Sequence, residues 1–447
     1  MAKKTRAPPA AKGVPEFTFL GVPVRGTVRS TFIKHLLILA TLSLAMKLAT
    51  IFLATNIFSS FVDIFDITYY LKFALRVYAG QVPYVQFSID YPQGAFLSIL
   101  LPLVLVMITG GMPALLAGNP LGYAGFHQAL MCAFDLGSAI LVYIIGLRLY
   151  GEKRAFWAGI LYTTAFSAAY FVLTKYDAYP TFFLLLAVAL FLYGRETGAY
   201  LAGAFGFLVK WYPVLALPYF LILDLKVGVG KATIRKNLGL SILLVLVFTL
   251  PFLLLNPEGF IETYTINTGF NTLAHGFIYY LDFITRSITG VAVFSPISIL
   301  LAVIAEIALL YWFYRQPRTD PFTLCAFIFF AVAAFILTNK IASPQYLQWI
   351  APFMALFLVG SAAEVILFYI AQLWWFLEFP VLYNVIYNNI TGYGPAGAGF
   401  PAGTFLFFTV KFALVFAILW VVYRKLPKIP GAEAPKKAGA ETPKKAR

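Results

Sequence analysis

The sequence predicts an all-α protein that crosses a membrane many times. Hydrophobic residues fill 61% of the 447 positions and charged residues only 11%, whereas a soluble globular domain carries roughly 25% charged residues. Mean hydropathy is +0.84. The apolar residues also come in continuous blocks close to the roughly 20 residues that carry a helix across a bilayer. A transmembrane β-barrel, whose short strands alternate apolar and polar positions, is excluded by that continuity.

Taken in order, the blocks fall at 33–57, 127–149, 155–173, 178–194, 199–210, 212–224, 238–256, 289–314, 320–338, 346–367, 368–387 and 403–424. They give about 12 transmembrane helices, within bounds of roughly 10–13 set by helix length. The blocks 199–210 and 212–224 are short, and Trp211 and Pro213 between them suggest a hairpin or two half-helices. The apolar run 94–118 is interrupted by Gly110, Gly111 and Pro113. It reads as interfacial or re-entrant helix within a long first extracytoplasmic loop, 58–126. Residues 1–30 and 426–447 are rich in Lys, Ala and Pro and are expected to be disordered basic tails flanking a transmembrane domain, 31–425. No short apolar stretch with a small-residue cleavage site precedes the first block, so no cleavable signal peptide is expected. Cys132 and Cys325 lie in apolar runs and read as small core residues, without disulfide or zinc spacing.

Orientation follows from Lys and Arg, which concentrate in cytoplasmic segments. On this map 25 of the 33 basic residues fall on the side of the two termini. Six fall opposite: Lys72, Arg76, Lys175, Lys210, Arg286 and Lys340. The expectation is a multi-pass cell-membrane protein with cytoplasmic termini. The net charge of +15 sits mostly in the tails and suits an anionic membrane surface; no motif suggests nucleic acid.

The extracytoplasmic side gathers the chemistry. It holds Asp63, Asp66 and Asp90 in the first loop, then Thr174-Lys175-Tyr176-Asp177, Lys210-Trp211-Tyr212-Pro213, a loop 257–288 with His275 and Arg286, and Asn339-Lys340 running on to Trp349. Carboxylates that take protons, cations that hold phosphate and aromatics that face sugar rings share one boundary.

Six motifs recur in order here. They are Asp66-Ile67-Thr68-Tyr69, Gly80 to Tyr84, Tyr91-Pro92-Gln93, Asp177 to Pro180, Lys210 to Pro213, and Ser343 to Trp349. In that order they resemble the GT-C superfamily of integral-membrane glycosyltransferases, and most closely its polyprenyl-phosphate-mannose-dependent mannosyltransferases. The likeness spans roughly residues 30 to 360. Gln93 stands where a second proline is usual, and the family's acidic pair spaced by one residue is missing, since Asp63 and Asp66 are three apart.

The resemblance implies an inverting transfer of a sugar, mannose by analogy, from a polyprenyl-phosphate donor to a hydroxyl of a glycolipid, glycan or protein acceptor, with the active site extracytoplasmic. It implies Asp66 as general base, with Asp63 tuning it. Asp177, Lys210, Tyr212, His275, Arg286, Lys340, Gln345 and Tyr91 are carried as substrate-binding residues. Lys210 leads for the phosphate. No cofactor is expected; a divalent metal is not favoured. The chemistry stands apart from the resemblance: a carboxylate accepts the acceptor's proton, the anomeric carbon passes through an oxocarbenium-like state, and a cation stabilises the departing phosphate. Structural alternatives compete at each position. Asp66 and Asp177 each precede a helix and can serve as N-caps; Lys210 can snorkel; Tyr212 and Trp349 can belong to an interfacial belt. Asp135, Glu306, Glu364, Lys47 and Lys411 fall inside spans, and a continuous path through them would suggest the alternative of a transporter or lipid flippase without chemistry. Against that alternative, no internal repeat is evident and the charges gather at one surface.

Overall fold

A computed structural model gives the fold, described here for residues 16–19, 22–269, 275–383 and 402–426. Apart from one hairpin, β1 (Glu16–Phe19) antiparallel to β2 (Val22–Arg25), the described residues form helices and their connections. The hairpin corrects the expected disordered N-terminal tail. Phe17 and Phe19 close edge-on over Phe32, each at 5.1 Å between ring centroids, so the chain just before the first membrane helix has its own apolar anchor.

The helices are α1 (Arg29–Asn56), α2 (Phe65–Tyr78), α3 (Ala95–Ile108), α4 (Met112–Leu116), α5 (Leu121–Tyr150), α6 (Glu152–Thr163), α7 (Phe166–Thr174), α8 (Ala178–Leu192) and α9 (Glu196–Val209). There follow α10 (Ala216–Val227), α11 (Lys231–Leu255), α12 (Pro257–Gly269), α13 (Phe277–Thr289), α14 (Phe294–Arg315), α15 (Pro321–Thr338), α16 (Leu347–Phe357), α17 (Ala362–Phe376) and α18 (Ala402–Lys425). Among the described residues seven helices are long and apolar enough to cross a membrane, or eight if α6 and α7, bent by 54° at their junction, make one broken span. The chain is therefore a multi-pass, all-α membrane protein. The run 94–118 is two helices, one of 14 and one of 5 residues, lying within the first loop.

Several boundaries differ from expectation. The block 155–173 is broken at 164–165. The basic residues Lys231, Arg235 and Lys236 lie inside α11, not in the loop before it. The block 346–367 is not one span: α16 stops at Phe357, and Ser361 starts α17 by accepting a hydrogen bond from the Glu364 amide. That makes Glu364 a first-turn residue of α17, paired with Lys425 at 2.6 Å, in place of a mid-span carboxylate. The segment 257–288, expected as a loop, holds the helices α12 and α13. The acceptor-like sequence Asn389-Ile390-Thr391 and the end of the block 368–387 lie outside the described residues.

The shorter helices α8, α9 and α10 pack tightly in the interior. Gly206 of α9 allows this: a Cβ there would lie 2.7 Å from the Pro213 Cβ. The hairpin predicted around Trp211 is real, with a 3-10 turn over Tyr212–Leu215 linking α9 to α10. It delivers Lys210 and Trp211 to the same end of the bundle as the N-terminus of α2 and the α7–α8 turn.

Two polar groups stitch the long helices. Lys47 of α1 bonds Asp135 of α5, whose other oxygen accepts from the Tyr162 hydroxyl of α6 at 2.7 Å. Glu378, just beyond α17, receives Lys411 of α18 at 2.7 Å. Both pairs are closed by their own partners, as buried charges must be.

Candidate functional site

The first cluster forms where α2 begins. The Asp63 carboxylate accepts the Phe65 backbone N–H at 2.9 Å, a local turn bond at the start of α2, whose N-cap is Ile64 and not the expected Asp66. Asp66 falls inside the first turn of α2 and is free to turn elsewhere. Lys175 leaves α7 in an extended conformation and reaches both acids, with Nζ 3.0 Å from Asp63 Oδ2 and 3.1 Å from Asp66 Oδ2. The Lys175 side chain is buried, whereas Asp66 keeps 22% of its side chain exposed.

Burial pushes the Asp66 carboxyl above its usual range, against the pull of Lys175, and the charges of Asp63 and Asp177 push the same way. At Lys175 burial alone would favour the neutral amine, but the two carboxylates prevail and hold its ammonium above the usual value. Burial decides the direction at Asp66, and the two carboxylates decide it at Lys175. The cation gains from each, while each anion shares it and faces the other.

The second cluster is centred on Asp177, which is 1% exposed. It stands at the N-cap position of α8 without capping it. Its Oδ1 instead accepts from Lys210 Nζ at 2.5 Å and from the Trp349 indole N–H at 2.6 Å. The capping alternative is thereby overturned: Asp177 steadies Lys210. The Lys210 ammonium also lies over three rings, Tyr176, Trp349 and Tyr346, at 4.7, 5.0 and 5.2 Å from their centroids.

A wall of phenol rings joins the clusters. Tyr176 lies 5.7 Å from Tyr70 and 5.2 Å from Tyr91, and Tyr91 lies 5.6 Å from Tyr70. Tyr91, expected to contact substrate, thus borders both ion clusters. Burial raises the Asp90 carboxyl, and burial followed by the Asp90 charge lifts the Tyr69 phenol to about 12. Asp90 lies within electrostatic range of both Asp66 and Lys210.

The segment between Gly80 and Gly94 holds this wall in place. Tyr84 has φ +63°, a left-handed conformation rare for an aromatic residue. Its phenol reaches back to donate to the Tyr91 carbonyl at 2.9 Å. The motif around Tyr84 is thus scaffolding for Tyr91. The Gly94 N–H donates to Leu208 O at 2.7 Å, two residues before Lys210, and a Cβ on Gly94 would lie 2.8 Å from the Leu208 carbonyl carbon. Gln93, the residue standing for an expected proline, accepts from the Tyr264 hydroxyl of α12 at 3.1 Å. Tyr264 stacks on Trp211 at 5.6 Å. Gln93 therefore ties α12 to the site.

Other expected residues fall elsewhere. Tyr212 and Trp349 stack on each other at 4.1 Å, both 1% exposed, with the Tyr212 hydroxyl 2.8 Å from that of Thr181. Tyr212 supports the site and offers no face to a sugar. His275 sits with Glu378 at 3.0 Å, and its carbonyl accepts from Lys411 at 3.1 Å. This buried group is separate from both clusters, although Phe379, next to Glu378, lies 5.6 Å under the Lys175 ammonium. Arg286 is exposed in the last turn of α13. Lys340 is partly buried in the turn after α15. Gln345 bonds the Ser343 hydroxyl beside it. No hydrogen bond or ion pair joins Arg286 or Gln345 to Asp66 or Lys210 among the described residues.

Sequence reasoning missed how the residues pair. Lys175 was visible as a loop cation, and a cation between two apolar helices needs a carboxylate, but no sequence signal chose Asp63 and Asp66 as its partners. The indole donor from Trp349 had no sequence signal beyond the neighbouring Ser-Pro-Gln-Tyr motif. Comparison of the chain with protein-family models, curated proteins and solved structures gave no match.

Proposed function

We propose that this protein is an inverting, integral-membrane glycosyltransferase that moves a sugar, mannose by resemblance, from a polyprenyl-phosphate donor to an acceptor hydroxyl. The observation that carries the reading is Asp66: a partly exposed carboxylate of raised proton affinity, held by Lys175 and walled by aromatic rings, at one end of an apolar helix bundle. A carboxyl group with a raised pKa is the better base near neutral pH. Asp66 removes the acceptor proton as the acceptor oxygen bonds to the anomeric carbon. The carbon–oxygen bond to phosphate breaks, and the lipid phosphate departs with the electron pair.

Lys210 is the cation proposed to meet that phosphate. An ammonium has three N–H donors; Asp177 occupies one, and 18% of the side chain remains exposed. Asp177 and Trp349 are positioning residues for Lys210, and Asp63 for Lys175. On this reading α8, α9, α10 and α16 complete the crossings that the seven long helices and the bent α6–α7 span begin, giving twelve, with the site extracytoplasmic and the termini cytoplasmic. A transporter needs a path of polar groups between the two faces. The Lys47–Asp135 and Glu378–Lys411 pairs instead join separate helices and bond their own partners.

The test is an incubation of purified protein in lipid with labelled polyprenyl-phosphate mannose, glucose, galactose and pentose, each with a membrane-lipid extract as acceptor. The proposal expects label in a new product from one donor. Intact donor in every case, together with movement of donor between leaflets, would establish the transporter instead.

A further inference from the structure

At the end of the bundle opposite the acidic clusters lies a second site, independent of whatever reaction the first performs. It sits where α5 turns into α6 and where α15, α16, α17 and α18 meet. A cavity of about 350 Å³ opens there, within the size range of small-ligand pockets, roughly 300–1,000 Å³.

Six of its lining residues define its chemistry: Tyr150, Arg154, Phe322, Phe357, Glu364 and Lys425. Tyr150 and Phe322 stand at a steep angle, 67° with centroids 6.3 Å apart, while Phe357, 1% exposed, packs edge-on against Phe322 at 72° and 5.2 Å. Rings set at such angles around a cavity form a cage that suits an organic ammonium. A carboxylate is built into the same wall. Glu364 accepts the Gly360 N–H at 2.9 Å and pairs with Lys425 at 2.6 Å. The Lys425 ammonium also donates to Phe357 O at 2.6 Å, so its position is fixed twice. Arg154, in the first turn of α6, brings an exposed guanidinium.

The cavity thus offers two cations, one anion and an aromatic cage at the membrane edge. A purely anionic headgroup would satisfy the cations and leave its charge facing Glu364. A headgroup carrying both a phosphodiester and an ammonium matches every group present. We propose that this cavity binds a zwitterionic phospholipid headgroup of the ethanolamine or choline type. Its phosphate sits on Arg154 and Lys425, and its ammonium sits between Glu364 and the partly exposed rings of Tyr150 and Phe322.

The experiment titrates delipidated, detergent-purified full-length protein with short-chain phosphatidylethanolamine, phosphatidylcholine and phosphatidylglycerol, counting bound lipid by native mass spectrometry. Wild type is expected to hold one zwitterionic lipid at least about tenfold more tightly than phosphatidylglycerol, a gap typical of one good charged contact. Arg154→Gln should weaken all three lipids. Glu364→Gln should reverse the preference toward phosphatidylglycerol. Tyr150→Leu, which leaves every charge in place, should weaken the zwitterionic lipids alone. Equal affinity for the three lipids, a preference for phosphatidylglycerol in wild type, or an unchanged preference in both Glu364→Gln and Tyr150→Leu would overturn the proposal. Should Glu364→Gln fail to fold, Tyr150→Leu decides.

Discussion

Lys210 and Asp177 form one ion pair, yet they should not be equally costly to remove. Lys210→Met leaves Asp177 1% exposed, with only the Trp349 N–H on Oδ1 and no partner for Oδ2. Stranding a buried charge in this way costs about 3–5 kcal/mol. Asp177→Asn leaves a different survivor. The Lys210 side chain keeps 18% of its surface exposed and still faces three rings, which offset about 0.5–2 kcal/mol. Its loss should therefore be smaller, about 1–3 kcal/mol, the usual cost of a lost charged hydrogen bond. The double variant Asp177→Leu/Lys210→Met removes both charges and should recover most of the loss, since an apolar pair can replace a buried ion pair at little cost. The assay is thermal unfolding of each variant in one detergent. Lys210→Met should lower the midpoint most, Asp177→Asn less, and the double variant least. Equal midpoints for the two single variants, or additive losses in the double, would refute the reasoning.

Three further outcomes follow from the geometry. The acid limb of the pH–rate profile should lie above the ordinary carboxylate range, because burial favours protonated Asp66. Lys175→Met removes the charge that draws the Asp66 pKa down and should move the limb to higher pH; a move to lower pH would contradict the assignment. Gly94→Ala places a Cβ 2.8 Å from the Leu208 backbone, so it should cost about 1–3 kcal/mol in unfolding measurements as overpacking does, and lower activity by displacing the loop that carries Asp90 and Tyr91. Lys411→Met leaves Glu378, fully buried, with His275 as its remaining side-chain partner. It should lower the unfolding midpoint by the equivalent of about 3–5 kcal/mol, without shifting the pH profile.

What the sequence revealed and what it hid divide along a physical line. Apolar block length is a one-dimensional property, so α1, α14, α15 and α18 were legible to within five residues, whereas α5 and α11 begin earlier than their apolar blocks, at Leu121 and Lys231. Breaks were legible where Gly, Pro or Trp mark them, as at 94–118 and around Trp211. The break at 164–165 carries no Gly or Pro to signal it, and the break at 358–361 was missed although Gly360 and the capping Ser361 mark it. At the site, residue type gave the candidates but not their pairing. Asp66, Asp63, Tyr91, Asp177 and Lys210 do share one end of the bundle. Lys175 belongs to Asp63 and Asp66, and Lys210 to Asp177, because the α7–α8 turn sends residues 175 and 177 in different directions. His275 could not be placed by sequence, since its partner Glu378 is 103 residues away and lies beyond a separate helix. The alternative of capping failed at Asp177 for a reason sequence does not encode: the side chain finds an ammonium and an indole before it finds its own helix.

The central claim is that Asp66 is the base of a sugar transfer. The most direct measurement compares wild type with Asp66→Asn, using purified protein in lipid, labelled polyprenyl-phosphate mannose and a membrane-lipid extract, while donor binding is followed in parallel. The account predicts transfer reduced by about 10²–10⁴-fold, the usual contribution of a general base, with donor still bound. Transfer by Asp66→Asn within a few-fold of wild type would contradict it and hand the role to Asp63 or Asp90.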